Sequence, residues 1–275
     1  MFERIKKALN PNGEMSFLAH LETLRWHLMR SVIVVSILGI VMFVYQKFLF
    51  GTVLFGPKNP NFITYRILCK IGARLNMPEL CIHKIPIQLI NTELAGQLTM
   101  SMWVAFVAGL ILGMPYVLWE LWLFIKPALK QKEIKGAKGF VFFATLLFLI
   151  GASFSYFLIV PWTINFLGNY SISGSDVSNM ITIDSYISTV TSLVFLLGLV
   201  FELPIIVYFL TKFGILSPAF MRKYRRHAVI VVLIGAAFIS PPDVTSQMVV
   251  AVPLYLLFEL SIFVSVFAQK RKKPI

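Results

Sequence analysis

Two uncharged runs, Leu94–Trp119 and Gly139–Val160, constrain this chain more than any other feature. Each is long enough to cross a ~30 Å hydrocarbon layer as a helix, and neither alternates as a barrel strand does. Hydrophobic residues make up 58% of the chain and charged residues 13%, whereas a soluble domain carries about 25% charged. A surface this apolar needs lipid as its solvent. Six spans follow, roughly 28–49, 98–119, 139–160, 186–210, 228–240 and 248–268, which predicts an all-α integral membrane protein. The fifth is short, since its uncharged run Ala228–Ser240 rises only ~20 Å as a helix. Either that helix continues into solvent, or Arg225 and Arg226 snorkel and the bilayer thins around it.

The net charge of +13 would suit a nucleic-acid partner, but its placement tracks the membrane instead. Arg4, Lys6, Lys7, Arg25 and Arg30 precede or enter span 1, and Lys126, Lys130, Lys132, Lys135 and Lys138 lie between spans 2 and 3. Lys212, Arg222, Lys223, Arg225 and Arg226 lie between spans 4 and 5, and residues 270–273 form a basic tail. The connections 161–185 and 241–247 contain no Lys or Arg. This positive-inside pattern places both termini in the cytoplasm and leaves nucleic acid out. The first outside loop is the exception, with Lys58, Arg66, Lys70, Arg74 and Lys84; over so long a loop the rule weakens. No small-residue cleavage site follows span 1, so that span is expected to stay in the mature protein.

The N-terminal segment, residues 1–27, reads as cytoplasmic and amphipathic. Phe17, Leu18, Leu21, Leu24 and Leu28 recur at helical spacing, with His20, Glu22, Thr23 and Arg25 between them. The expectation is a helix lying along the cytoplasmic surface and leading into span 1. The outside loop 50–97 is broken by Pro57, Pro60, Pro78 and Pro86, and 166–185 is rich in Gly, Ser and Asn, with Asp184–Ser185 placed to cap span 4. No repeat or linker appears, so 1–275 reads as one integral-membrane domain. Cys69 and Cys81 share the outside loop. In an oxidising compartment they can pair; the alternative is two free thiols.

Glu120, Glu202 and Glu259 lie in or beside the spans. A carboxyl at membrane depth is costly, and so is a candidate for function. Glu202 is the deepest, and Pro204 beside it should free a backbone carbonyl and kink the helix. The competing reading is a protonated carboxyl that only packs. Glu259 suits a structural role near the cytoplasmic third of span 6, and Glu120 an interfacial one. In the first cytoplasmic loop, Glu133 stands among five lysines. It either pairs with Lys130 on a helix surface or recognises an arginine by bidentate bonding. There is no HExxH, GxSxG, P-loop or His/Cys metal spacing, so neither an enzyme nor a cofactor is expected.

Several short stretches together resemble the TatC family, the C subunit of the twin-arginine protein translocase. They are Phe17-Leu18-Ala19-His20-Leu21 through Leu24-Arg25, and Trp122 through Leu129 followed by Glu133. Further along come Gly151 through Tyr156 to Pro161, Phe201-Glu202-Leu203-Pro204, Ser217-Pro218, and Ser240 through Gln247. The resemblance implies a concave, six-helix receptor in the bacterial plasma membrane, with short helices 5 and 6, that reads paired-arginine signal peptides. It exports folded proteins on the proton-motive force, without nucleotide. Implied partners are TatA-type single-span subunits, a TatB-type subunit, the lipid bilayer and further copies of the chain. By family position Glu133 is the recognition carboxylate, Phe124 and Pro127 shape its loop, and Arg25 is the arginine of the N-terminal segment. Ser240 and Gln247 map to partner contacts at the outer ends of spans 5 and 6. Glu202 is the intramembrane carboxylate.

One departure affects the site. Where the family reads His-Leu-x-Glu-Leu-Arg, this chain reads His20-Leu21-Glu22-Thr23-Leu24-Arg25. The second carboxylate is displaced by one residue, ~100° of helix rotation. The expectation is that Glu22 compensates in part by a small rotation. From another class, a proton-coupled solute transporter would use Glu202 as its coupling group, although the matching broken helices of such carriers are not evident.

Overall fold

The computed structural model describes residues 17–75, 87–128, 139–170, 180–239 and 244–270. The helices are α1 (Phe17–Val44), α2 (Ile63–Leu75), α3 (Gly96–Ile125), α4 (Phe140–Phe154), α5 (Val160–Asn169), α6 (Ile183–Val200), α7 (Leu203–Phe213), α8 (Pro218–Lys223), α9 (Arg225–Ile239) and α10 (Val244–Lys270). Two short strands, β1 (Gln88–Ile90) and β2 (Met180–Thr182), pair in parallel. Two compact units emerge, residues 1–44 with 105–145, and 45–104 with 146–275. Each takes two stretches of chain, so no single cut separates them; this is why no linker shows in the sequence.

In the first unit, residues 17–27 and span 1 form one unbroken helix, where a surface helix leading into the span was expected. No proline or glycine interrupts residues 17–38, so nothing stops the helix from propagating. α1 and α3 approach through glycines. A Cβ on Gly109 would lie 2.5 Å from the Gly39 nitrogen and 2.8 Å from the Val35 carbonyl oxygen, and one on Gly113 would lie 3.1 Å from Val35 Cγ2. Gly109-x-x-x-Gly113 is therefore the small-residue seam that lets membrane helices pack backbone to backbone.

In the second unit, spans 3 and 4 interlock by a reciprocal exchange of glycine and phenylalanine. A Cβ on Gly151 would meet the Phe201 ring at 2.6 Å, and one on Gly198 the Phe148 ring at 2.7 Å. Span 3 runs on past its expected end at Val160 through a π-helical turn, Ser155–Ile159, and α5. Pro161 has no N–H to offer the Phe157 carbonyl four residues back. Thr64 of α2 supplies the missing donor to that carbonyl. Tyr65 donates to the Pro57 and Pro161 carbonyls at 2.9 and 3.1 Å. Tyr156 donates to Val53 and Tyr186 to Leu54, both at 2.7 Å. The irregular backbone of 49–58 is thus satisfied by buried hydroxyls, and burial pushes the Tyr65 phenol well above its ordinary titration range. The loops expected at 50–97 and 166–185 meet through β1 and β2, with Leu89 opposite Ile181. The cap of span 4 is Thr182, whose hydroxyl accepts from the Ser185 N–H at 3.3 Å, rather than Asp184 or Ser185.

Among the described residues, five helices are long and apolar enough to cross a membrane: His20–Val44, Gly96–Ile125, Phe140–Asn169, Ile183–Phe213 and Gln247–Gln269. The expected fifth span is α9, whose 15 residues rise ~22 Å. It starts at Arg225, just after the Tyr224 turn and three residues before its uncharged run. Its start and its middle are tied to α10. Arg225 Nη2 meets Glu259 Oε2 at 2.8 Å, and Gln247 Nε2 donates to the Leu233 carbonyl at 3.0 Å. Ser217 caps α8, with Pro218 at its first position, which gives the Ser-Pro pair a local structural reason.

Candidate functional site

Within the first unit, two contacts hold α1 against the last turns of α3. The His20 ring stacks on Phe124 with centroids 4.2 Å apart. Two helical turns further on, His27 Nδ1 lies 2.5 Å from Glu120 Oε2, and Tyr116 donates to Glu120 Oε1 at 2.7 Å. Glu120, expected at the interface, is 4% exposed and paired within the protein. His20 and His27 fall within ~20° of one another around the helix. They fix which face of α1 turns toward the start of the first cytoplasmic loop.

That face decides the standing of the displaced acid. Thr23 lies ~60° from His20 and is half-buried, whereas Glu22 lies ~200° away and is exposed, as is Arg25. A carboxylate at position 23 would sit beside the clasp, and Glu22 turns away from it. A small rotation of α1 to bring Glu22 round would break both the His20 stack and the His27–Glu120 pair. Phe124 is half-buried under His20, and Pro127 is exposed in the turn Lys126–Ala128. Glu133 lies outside the described residues.

Glu202 sits where span 4 breaks. α6 ends at Val200, α7 starts at Leu203, and Pro204 occupies the first turn of α7; the kink expected from the sequence coincides with the turn Phe201–Glu202, whose two residues keep right-handed helical dihedrals. Glu202 is 6% exposed, and neither carboxylate oxygen has a hydrogen-bond partner among the described residues. A carboxyl so placed suits the protonated form or a polar group brought by another molecule. Glu259 is held by Arg225 and by the Tyr255 hydroxyl at 3.1 Å, the structural role expected of it. Gln247 donates one amide N–H to the Leu233 carbonyl. Ser240 and Cys81 lie outside the described residues. Among those described there is no free cysteine, Cys69 being disulfide-bonded.

The His27–Glu120–Tyr116 network is the element that reading the sequence missed. Its signal was present in part: Tyr116 and Glu120 are four apart on one helix, and His27 follows His20 by seven residues, two helical turns.

These features define a class: a multi-pass, all-α membrane protein, with carboxyls buried at helix breaks and ends and no cluster of metal-binding side chains among the described residues. The sequence model of the Sec-independent protein translocase protein (TatC) family matches residues 19–253. The TatC protein of a Blattabacterium from Periplaneta americana is 38% identical over 267 residues, 96% of this chain and 99% of that one. The TatC protein of Helicobacter pylori is 43% identical over 163 residues, covering 59% of this chain and 63% of its own length. A crystal structure of the twin-arginine translocase receptor TatC in DDM superposes with a TM-score of 0.69 at 30% identity, covering 89% of this chain and 98% of that one. The chain belongs to the TatC family, as a multi-pass component of a protein translocase in the bacterial plasma membrane.

Proposed function

We propose that this chain is the receptor subunit of a twin-arginine translocase, binding twin-arginine signal peptides and exporting folded cargo on the proton-motive force. Its partners are TatA-type and TatB-type subunits and further copies of itself. The observation that carries the reading is the clasp of His20 on Phe124 and His27 on Glu120. It fastens α1 to the helix end that leads into the Glu133 loop, which supports a peptide site shared by the two stretches that the resemblance implies. Glu133 accepts an arginine of the signal through charge-assisted bonds, with Phe124 and Pro127 bounding it. Family membership favours this over a solute carrier built on Glu202.

The test is Glu133→Gln. The amide keeps the shape and loses the charge, and export of a twin-arginine reporter is expected to fall by at least ~10-fold at unchanged protein level, from ~1.5–3 kcal/mol of lost binding. Export at the wild-type rate overturns the assignment. Photocrosslinking from position 133 to a twin-arginine peptide, absent with a twin-lysine peptide, supports it independently.

A further inference from the structure

Helix α2, in the outside loop, contradicts the positive-inside pattern with three basic residues, and its surface gives the reason. Thr64, Tyr65 and Gly72 are buried against the rest of the second unit. The outward arc carries two parallel ridges. One is Ile63, Ile67 and Ile71, exposed by 46%, 50% and 43%. The other is Arg66, Lys70 and Arg74, all exposed and none in an ion pair among the described residues. On a helical wheel the isoleucines centre ~60° from the cations. This is the cross-section of a helix lying in a membrane interface, apolar flank down and cations at headgroup level.

Its height on the protein agrees. Thr64 bonds the Phe157 carbonyl, and Phe62 stacks on the Phe157 ring. Phe157 is seventeen residues beyond Phe140, the first residue of span 3, a rise of ~26 Å, close to the ~30 Å depth of the hydrocarbon core. Phe157 and Leu158 are themselves exposed, as lipid-facing residues are. α2 is thus anchored at the level of the outer hydrocarbon–headgroup boundary.

We infer that α2 docks on the outer leaflet of the surrounding bilayer and selects anionic phospholipid there, through Arg66, Lys70 and Arg74 over a seat of Ile63, Ile67 and Ile71. The inference stands apart from the signal-peptide reading, since it uses none of those residues. Each basic residue near an anionic surface multiplies local affinity about fivefold, so three contribute about a hundredfold.

The test is hydrogen exchange of residues 63–75 in the full-length protein, in nanodiscs of phosphatidylcholine alone and of phosphatidylcholine with phosphatidylglycerol. Exchange is expected to be at least about tenfold slower with the anionic lipid, and high salt should remove the difference. Arg66→Gln/Lys70→Gln/Arg74→Gln should abolish the lipid dependence, while Arg66→Lys/Arg74→Lys retains it. Unchanged exchange in α6 checks that each variant stays folded. Equal exchange in the two lipids overturns the proposal, whether the face is then covered by residues 76–86, by a second copy, or by neutral lipid.

Discussion

His27 and Glu120 form the contact whose removal should be felt first. Glu120 is buried with Tyr116 as its other partner, so His27→Ala leaves a carboxylate half-satisfied, and stability in detergent should drop by about 2–4 kcal/mol. A double-mutant cycle with Glu120→Ala should return a coupling of about 1–3 kcal/mol; additive losses would remove the pair from the account. Glu22 and Thr23 make a sharper contrast. Glu22 points away from the clasp face and Thr23 lies beside it, so Glu22→Ala should change signal-peptide affinity by less than ~0.5 kcal/mol. Thr23→Glu, which offers a second acceptor, should tighten binding by ~1.5–3 kcal/mol. Peptide titration on the two variants separates them, and a costly Glu22→Ala would show that α1 rotates on binding. Glu202 gives the opposite sign for stability. Its carboxyl oxygens have no partner among the described residues, so Glu202→Met should leave the thermal midpoint unchanged or raised. Export should nevertheless fall; a destabilised Glu202→Met would reveal a bond to the carboxyl.

At the scale of elements, glycines set the distances between helices. Gly109 leaves room for the Gly39 backbone, where a methyl group would stand at 2.5 Å. Backbone cannot give way as a side chain does, so Gly109→Ala should cost about 1–3 kcal/mol and Gly109→Leu more. Gly235 has open space around it, and Gly235→Ala serves as the control, expected to be neutral or stabilising by up to ~1 kcal/mol. Unfolding in detergent compares them, and equal effects would refute the close seam. The glycine seams were legible as residues but not as partners. Gly151 and Phe201 belong to separate sequence stretches, and only packing brings the ring over the glycine. The Pro161 motif is similar: the sequence announces a broken hydrogen bond, but not that Thr64, far back in the chain, repairs it.

Across the whole molecule, charge and hydropathy account for the membrane placement. Cys69 and Cys81 are expected to join in the oxidising compartment that this topology assigns to residues 50–97. Thiol alkylation and mass measurement without reductant should find neither cysteine labelled, and Cys69→Ser/Cys81→Ser should cost up to ~3 kcal/mol for a loop of this size. Two labelled thiols would refute the pairing. The sequence alone determined the helical class, the number of apolar segments, their orientation and the stretches that carry the family resemblance. These rest on composition and period along the chain, where transfer to lipid acts residue by residue. Only the tertiary structure decided that residues 17–27 continue unbroken into span 1, that span 4 turns at Phe201–Glu202, and that two loops meet as a parallel β pair. It also decided that Glu120 is buried and paired with His27. Each of these depends on a partner remote in sequence or on the absence of one. A hydrogen bond or a close approach between distant residues leaves no period for the eye to follow.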